Sequence, residues 1–358
     1  MSAARQTPSP RSLLVVRDDR LGDFMLAWPA FALLRRALPE TRITALVPEY
    51  TAPLGRLCTS LDDVLVVSHA VRNGTDGTAL AERLRDQSYD AVISFFSHYH
   101  TARAFRRAGI PVRIAPAVKL AQVHHTHRLH QHRSRSLKPE YRYNLDLAIF
   151  ALELWRIEPP DPLEDPPYLG FPVDRRRAHA RELREQYGLG ERTPLIAVHP
   201  GHGGSARNLD LEGYVKLCGS IGRLFQRVTF LVTSGPAPEE CAYAENLSRR
   251  LDAEGLPNRL HVSSTGLARF ALDLSVVDAF LSGSTGPLHL AGCLGVPTVG
   301  FFPEKRSANA TRWCPPTKEG FHLPVTRPEA ARGDALLPPS DEDNRRVCAF
   351  LERHLRSP

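Results

Sequence analysis

Residues 276–302 read VVDAFLSGSTGPLHLAGCLGVPTVGFF. An apolar run over 278–282 ends in Gly283-Ser284-Thr285-Gly286-Pro287, a small-residue helix comes next over 288–294, and a second apolar run starts at Val296. That order predicts strand, loop, helix and strand in a parallel sheet. Pro287 suits the first turn of a helix because it has no N–H to leave unpaired. Ser284 or Thr285 can cap the helix, and Gly286 permits close approach of a ligand. Free N–H groups at a helix start, with nearby hydroxyls, favour phosphate or another anion. His289, just inside the helix, could reach the same ligand. An ordinary capped turn explains the stretch equally well.

Outward from there, the chain is long for one core: 358 residues make two domains the default. It is globular in composition, with 42% hydrophobic and 24% charged residues, and carries a net charge of +7. That charge suits an acidic partner: nucleic acid, an anionic membrane face or a phosphorylated ligand. The six cysteines are scattered without a CxxC pair, so reduced thiols in a cytosolic protein are expected rather than disulfides or a zinc site. No apolar run is long enough to span a bilayer. Residues 1–12 are polar and contain proline, and read as a flexible leader rather than a secretion signal.

Two more strand-to-loop junctions stand out. The run Leu13-Leu14-Val15-Val16 ends in RDDRLGD, residues 17–23, and a helical pattern continues from there through Leu34. A charged turn between strand and helix lies at the carboxyl edge of a parallel sheet, where ligands bind in open α/β folds. Asp23 sits there, near a helix start, where a simple capping role is the competing explanation. The run Leu195-Ile196-Ala197-Val198 leads into HPGHGGSAR, residues 199–207. Its glycines let the backbone approach a ligand, and Arg207 offers a positive fork for phosphate; a flexible turn is the alternative. No GxGxxG or Walker loop is present. Further strands are expected at 43–47, 64–67, 91–96 and 228–233, and helices near 52–57, 78–84, 101–107, 144–154 and 175–186, the alternation of a parallel sheet covered on both faces.

Residues 17–29, RDDRLGDFMLAWP, resemble the first motif of glycosyltransferase family 9, the ADP-heptose:lipopolysaccharide heptosyltransferases, and stretches 199–214 and 282–313 agree in the same order. The resemblance implies an α/β protein with two facing Rossmann-like domains, the GT-B arrangement, its parallel sheets flanking an interdomain cleft. It implies a first domain over 13–158 that binds acceptor, a Pro-rich linker over 159–173 and a nucleotide-sugar domain over 174–340. A terminal helix over 341–358 would pack back on the first domain. Residues 199–207 become the diphosphate loop, with Gly203, Gly204, Ser205 and Arg207 on the donor. Glu239 or Glu240 would bond ribose hydroxyls, though a helix cap accounts for either. Ser284, Thr285, Gly286 and His289 complete the donor set. Ser284 stands where family members often have an acid, which leaves the sugar's identity open. Phe301-Phe302-Pro303 and Arg312-Trp313 resemble the family's return loop, whose aromatic could enclose adenine or sugar.

Residues 113–142 are rich in Arg and His, with Glu140 the acidic exception. They read as a mobile basic loop facing an acceptor that bears carboxylates and phosphates. Arg20, Gly22, Arg113, Lys119 and Arg128 are the expected acceptor contacts. A solvated charged loop competes with this reading; a His metal site lacks regular spacing, and nucleic-acid binding lacks aromatic interleaving.

The activity implied is inverting transfer of a heptose or related sugar from an ADP-sugar to a hydroxyl of an anionic, lipid-linked lipopolysaccharide-core acceptor. Asp23 is the expected general base, with Asp18 and Asp19 weaker candidates and Asp19 expected to pair with Arg20 or to support the turn. Positive groups and amides would hold the departing diphosphate. With no DxD-like pair in a donor loop, no cofactor and no obligatory metal are expected. The localisation implied is cytoplasmic, peripheral to the inner membrane, with no nucleic-acid partner. Another nucleotide sugar, or a non-catalytic anionic-glycan binder, remains the alternative.

Overall fold

A computed structural model describes residues 8–75, 77–118, 120–161, 163–201, 206–262, 265–330 and 335–355. The chain divides into two compact units: Met1–Arg133 with Glu140–Tyr168, and Ser134–Pro139 with Leu169–Pro358. The main division falls inside the predicted Pro-rich linker; that the short piece Ser134–Pro139 groups with the second unit was not expected.

The first unit is a six-stranded parallel sheet, ordered β3-β2-β1-β4-β5-β6. Its strands are β1 (Ser12–Arg17), β2 (Arg42–Pro48), β3 (Asp63–Val67), β4 (Ala91–Phe96), β5 (Val112–Pro116) and β6 (His127–Leu129). β1 and β4 are apolar almost throughout because helices cover both faces of a parallel sheet. The predicted leader ends earlier than residue 12: the Thr41 hydroxyl donates to the Pro10 carbonyl at 2.7 Å, and Arg11 N–H donates to Asp90 at 2.8 Å. One helical pattern was read over 24–34; the chain makes a single turn, Leu21–Met25, and then Trp28–Ala37 with Pro29 in its first turn.

The basic stretch 113–142 folds. β6 pairs in parallel with β5, a short 3-10 helix spans Leu120–His124, and a helix starts at Glu140. The expectation of a mobile loop fails because His124 and His125 are buried as anchors, against Tyr99 (ring centroids 4.8 Å apart) and Phe105 (6.4 Å).

The second unit is also a six-stranded parallel sheet, ordered β12-β11-β10-β7-β8-β9. Its strands are β7 (Leu195–His199), β8 (Thr229–Ser234), β9 (Asn258–Val262), β10 (Ala279–Gly283), β11 (Thr298–Pro303) and β12 (His322–Arg327). Phe230, Leu281 and Phe301 join Tyr214 and Leu247 in one core. The terminal helix Asp341–Leu355 adds Val347, Phe350 and Leu351 to that same core. Its apolar side thus finds cover in the second unit's own interior. Of the return-loop aromatics expected to enclose adenine or sugar, Phe301 and Phe302 are fully buried and belong to the core.

In each sheet the strand order reverses once. The reversal lies between β1 and β4 in the first unit and between β7 and β10 in the second. Open parallel sheets bind ligands at the carboxyl ends of the strands beside that reversal, because the two flanking loops diverge there and leave a crevice.

Candidate active site

Both reversals carry the loops chosen from the sequence. In the first unit, the pairing of β1 with β4 slips between Val16 and Arg17. The extra residue of this bulge is Phe95, on β4. Arg17 ends β1 turned inward, 3% exposed, and its guanidinium is the hub of the loop. Nε donates to Asp19 Oδ1 at 2.9 Å and Nη2 to Asp23 Oδ1 at 2.7 Å. Nη1 has longer contacts to the Phe95 carbonyl, 3.4 Å, and to Asn144 Oδ1, 3.5 Å. Asn144 in turn donates to the Leu26 carbonyl at 2.9 Å, tying the helix Glu140–Leu154 to the loop. Burial alone would weaken Arg17's hold on its proton; Asp19, Asp23 and Glu140 outweigh it and keep the group a permanent cation.

Asp23 lies in the first turn of Leu21–Met25, but the helix is entered from Arg20 and no side chain caps it. The capping explanation of Asp23 therefore fails. One oxygen is bound to Arg17, and the side chain is 18% exposed, enough to meet a hydroxyl from outside. Asp19 pairs with Arg17 and not with Arg20, so of the two roles expected for it the structure shows support of the turn. Burial raises the Asp19 carboxyl to about 7, against the pull of Arg17. Asp18 is buried too and is pushed upward by desolvation, opposed by His98, whose N–H donates to it across the reversal at 3.3 Å.

Arg20 is exposed and Gly22 half-buried on the same loop. Arg128 is exposed on β6. Arg113 is not available: its guanidinium donates to the His124 carbonyl at 2.7 Å and to the Ile110 carbonyl, closing its own loop. Lys119 lies outside the described residues.

In the second unit, the β7 loop and the β10 loop meet at the reversal. Gly203, Gly204 and Ser205 lie outside the described residues, and Arg207 is exposed, its Nε 3.9 Å from Glu329 Oε1. Asn208 is the anchor that the sequence reading missed. It is 1% exposed, and its Nδ2 donates to the carbonyls of Pro200 (2.9 Å) and His199 (3.2 Å). Its Oδ1 accepts from the buried Tyr214 hydroxyl at 2.5 Å. A side chain on Gly283 would strike the Arg207 carbonyl, 2.5 Å from an ideal Cβ, so glycine is required where the two loops touch. The only sequence signal for this clamp was an Asn directly after the loop's Arg.

After β8, Glu239 is exposed while Glu240 folds over the backbones of Gly235 and Gly201. A Cβ on Gly235 would collide with Glu240 Oε2. Of the two carboxylates, Glu240 is the one brought to the β7 loop.

The Gly283–Gly286 turn departs from expectation. Thr285 precedes the helix Gly286–Cys293, but its side chain does not cap it. Its buried hydroxyl bonds Ser282 Oγ at 3.0 Å, and Ser282 donates to the His199 carbonyl at 3.0 Å. Thr285 therefore ties the two loops together, and its own N–H is taken by the Gly283 carbonyl at 2.7 Å. Ser284 is half-buried beside it, and Gly286 opens the helix. His289 is 2% exposed, and burial alone depresses its pKa to about 3. It is a neutral core histidine and not the ligand contact predicted.

Among the described residues no cluster of His, Cys, Asp or Glu could hold a metal ion, and no helix is long and apolar enough to cross a membrane.

Comparison with known proteins bears on the family and the fold. The profile of "Glycosyltransferase family 9 (heptosyltransferase)" matches residues 78–329. A Haemophilus influenzae protein named "Putative glycosyltransferase" is 38% identical over 336 residues, covering 93% of this chain and 94% of that one. Among solved structures, Escherichia coli ADP-heptose LPS heptosyltransferase II shares the fold with a TM-score of 0.75 at 17% identity, over 96% of this chain and 98% of that one. E. coli heptosyltransferase WaaC with ADP gives a TM-score of 0.70 at 18% identity, over 96% and 99%. This chain belongs to glycosyltransferase family 9, the heptosyltransferase family, and is a transferase built on the two Rossmann-like units of the GT-B fold.

Proposed function

We propose that the protein transfers a heptose, or a closely related sugar, from an ADP-sugar to a hydroxyl of an anionic, lipid-linked saccharide, with inversion at the anomeric carbon. The observation that carries the reading is placement: Asp23 stands at the strand-order reversal of one sheet, and the Arg207, Asn208 and Thr285 loops stand at that of the other. The first unit supplies the base and the second holds the donor. Asp23 takes the proton of the acceptor hydroxyl as that hydroxyl's oxygen bonds the anomeric carbon. The bond from that carbon to the diphosphate oxygen breaks in the same displacement, and ADP leaves with the electron pair. Arg207 and the amides of the β7 and β10 loops take up the departing charge, a task that preorganised donors perform without a metal. Glu240 bonds the ribose hydroxyls, since a carboxylate accepts from both.

The donor assignment draws support from relatives: the WaaC structure holds ADP, and heptosyltransferase II is named for ADP-heptose. Ser284, where the family often has an acid, favours a sugar other than the usual heptose as the second reading. Within the first reading, Asp19 is the rival base, because its carboxyl titrates near neutrality, the range suited to proton transfer.

Calorimetric titration with ADP, UDP and their sugar conjugates tests the proposal. ADP and an ADP-sugar should bind and UDP should not, with Arg207→Ala weakening ADP. Binding of UDP alone would move the donor to the alternative; binding of no nucleotide would leave a glycan binder and end the transferase mechanism proposed here.

A further inference from the structure

We propose that the outer face of the 3-10 helix Leu120–His124, together with the helix Tyr99–Arg107 on which it sits, is a docking surface for an anionic lipid bilayer. The usual polarity of inside and outside is reversed on this face. Leu120 is 69% exposed and Val123 53%, with Val118 exposed beside them, while the adjacent His124 and His125 are buried. Neither nitrogen of either imidazole has a hydrogen-bond partner among the described residues. Burying unpartnered imidazoles costs free energy, and leaving Leu and Val in water forgoes the gain of covering them. Ordinary folding would put the apolar side chains in and the histidines out. The opposite choice makes sense where the apolar side chains are covered by something else.

Charge identifies the cover. The helix Tyr99–Arg107 buries Thr101, Ala102, Ala104 and Phe105 and turns Arg103, Arg106 and Arg107 outward. None of these guanidiniums forms an ion pair among the described residues. Burial, then Arg106 and Arg103, push His124 toward its neutral form, which places those cations beside the 3-10 helix. Neither the helix nor residues 118–128 contain a carboxylate. The neighbouring helix Gly77–Gln87 carries Glu82 and Asp86 but also Arg83 and Arg85. Exposed aliphatic side chains ringed by unpaired arginines suit the boundary between acyl chains and anionic headgroups. A saccharide acceptor would use the cations and leave Leu120 and Val123 without purpose. This deepens the lipid-linked part of the proposed function by naming the face that meets the membrane.

The test is co-sedimentation of the full chain with phosphatidylcholine vesicles, with and without phosphatidylglycerol. The wild type should bind only the anionic vesicles. Arg103→Gln with Arg106→Gln should weaken partitioning about 25-fold, at about fivefold per cation. Leu120→Ser with Val123→Ser should also weaken it on the same vesicles, while melting temperature and ADP binding stay as in the wild type. Wild-type indifference to anionic vesicles, or variants that bind as the wild type does, would overturn the proposal. So would a wild-type dimer in sedimentation velocity that Leu120→Ser with Val123→Ser makes monomeric, since the face would then belong to a second copy. Vesicle binding is measured without donor or acceptor, so its failure and the failure of sugar transfer are separately visible.

Discussion

Replacing Arg17 by methionine tests whether one buried cation organises the acceptor-side loop. Methionine keeps most of the side-chain volume and removes the charge. The guanidinium is 3% exposed and bonds two carboxylates, Asp19 at 2.9 Å and Asp23 at 2.7 Å. Without it, two partly buried carboxylates face each other with no countercharge, one of them already raised to about 7 by burial. Breaking a buried ion pair from one side costs about 3–5 kcal/mol, because the remaining charge loses its compensation. In a domain of this size about 1 kcal/mol moves the midpoint by roughly 2–4 °C, so the transition of the first unit should fall by roughly 6–20 °C. Adding Asp19→Asn to Arg17→Met should recover part of the loss, since groups sharing one network are not additive. Differential scanning calorimetry of the three variants reads this directly. A shift within about 2 °C of the wild type, or strict additivity in the double variant, would show that Arg17 is not the hub.

Gly235→Ala sets a methyl against Glu240 Oε2 and should swing that carboxylate off the β7 loop. Loss of a charged hydrogen bond to ribose should then weaken ADP binding by about tenfold or more in calorimetry, with little change in melting temperature. The pH profile should carry two opposed slopes. Asp19 rises from 3.8 to about 7 on folding, so the stability it contributes is whole below about 4 and is lost as pH climbs to 7; Asp19→Asn should flatten that arm. His289 falls from 6.5 to about 3, so its contribution is whole above 6.5 and is lost as pH drops toward 3; His289→Leu should flatten that one. Melting temperature against pH for the two variants checks both signs.

The strands were legible because a parallel sheet covered on both faces needs continuous apolar runs, and 13–16, 91–96 and 195–198 have them. The edge strands His127–Leu129 and Asn258–Val262 lack such runs and were not seen as strands. The candidate loops were legible for the same reason, since each begins where an apolar run stops. Side-chain direction was not. Nothing in the local sequence says that Arg17 turns inward at a bulge, that the Thr285 hydroxyl bonds Ser282 instead of capping its helix, or that Asn208 clasps the carbonyls at the start of the β7 loop. Those are settled by partners elsewhere in the chain. The His-rich stretch misled for a related reason: counting charges gave a solvated loop, while two of its histidines are anchors and its aliphatic residues face out.

Single-turnover sugar transfer by Asp23→Asn, beside Asp19→Asn, bears most directly on the assignment of the base. Asp23→Asn should lower the rate by about 10²–10⁴ while ADP-sugar binding is kept, because a general base supplies about that much. Asp19→Asn should retain most of the rate. An Asp23→Asn enzyme that turns over near the wild-type rate, or a collapse confined to Asp19→Asn, would contradict the account.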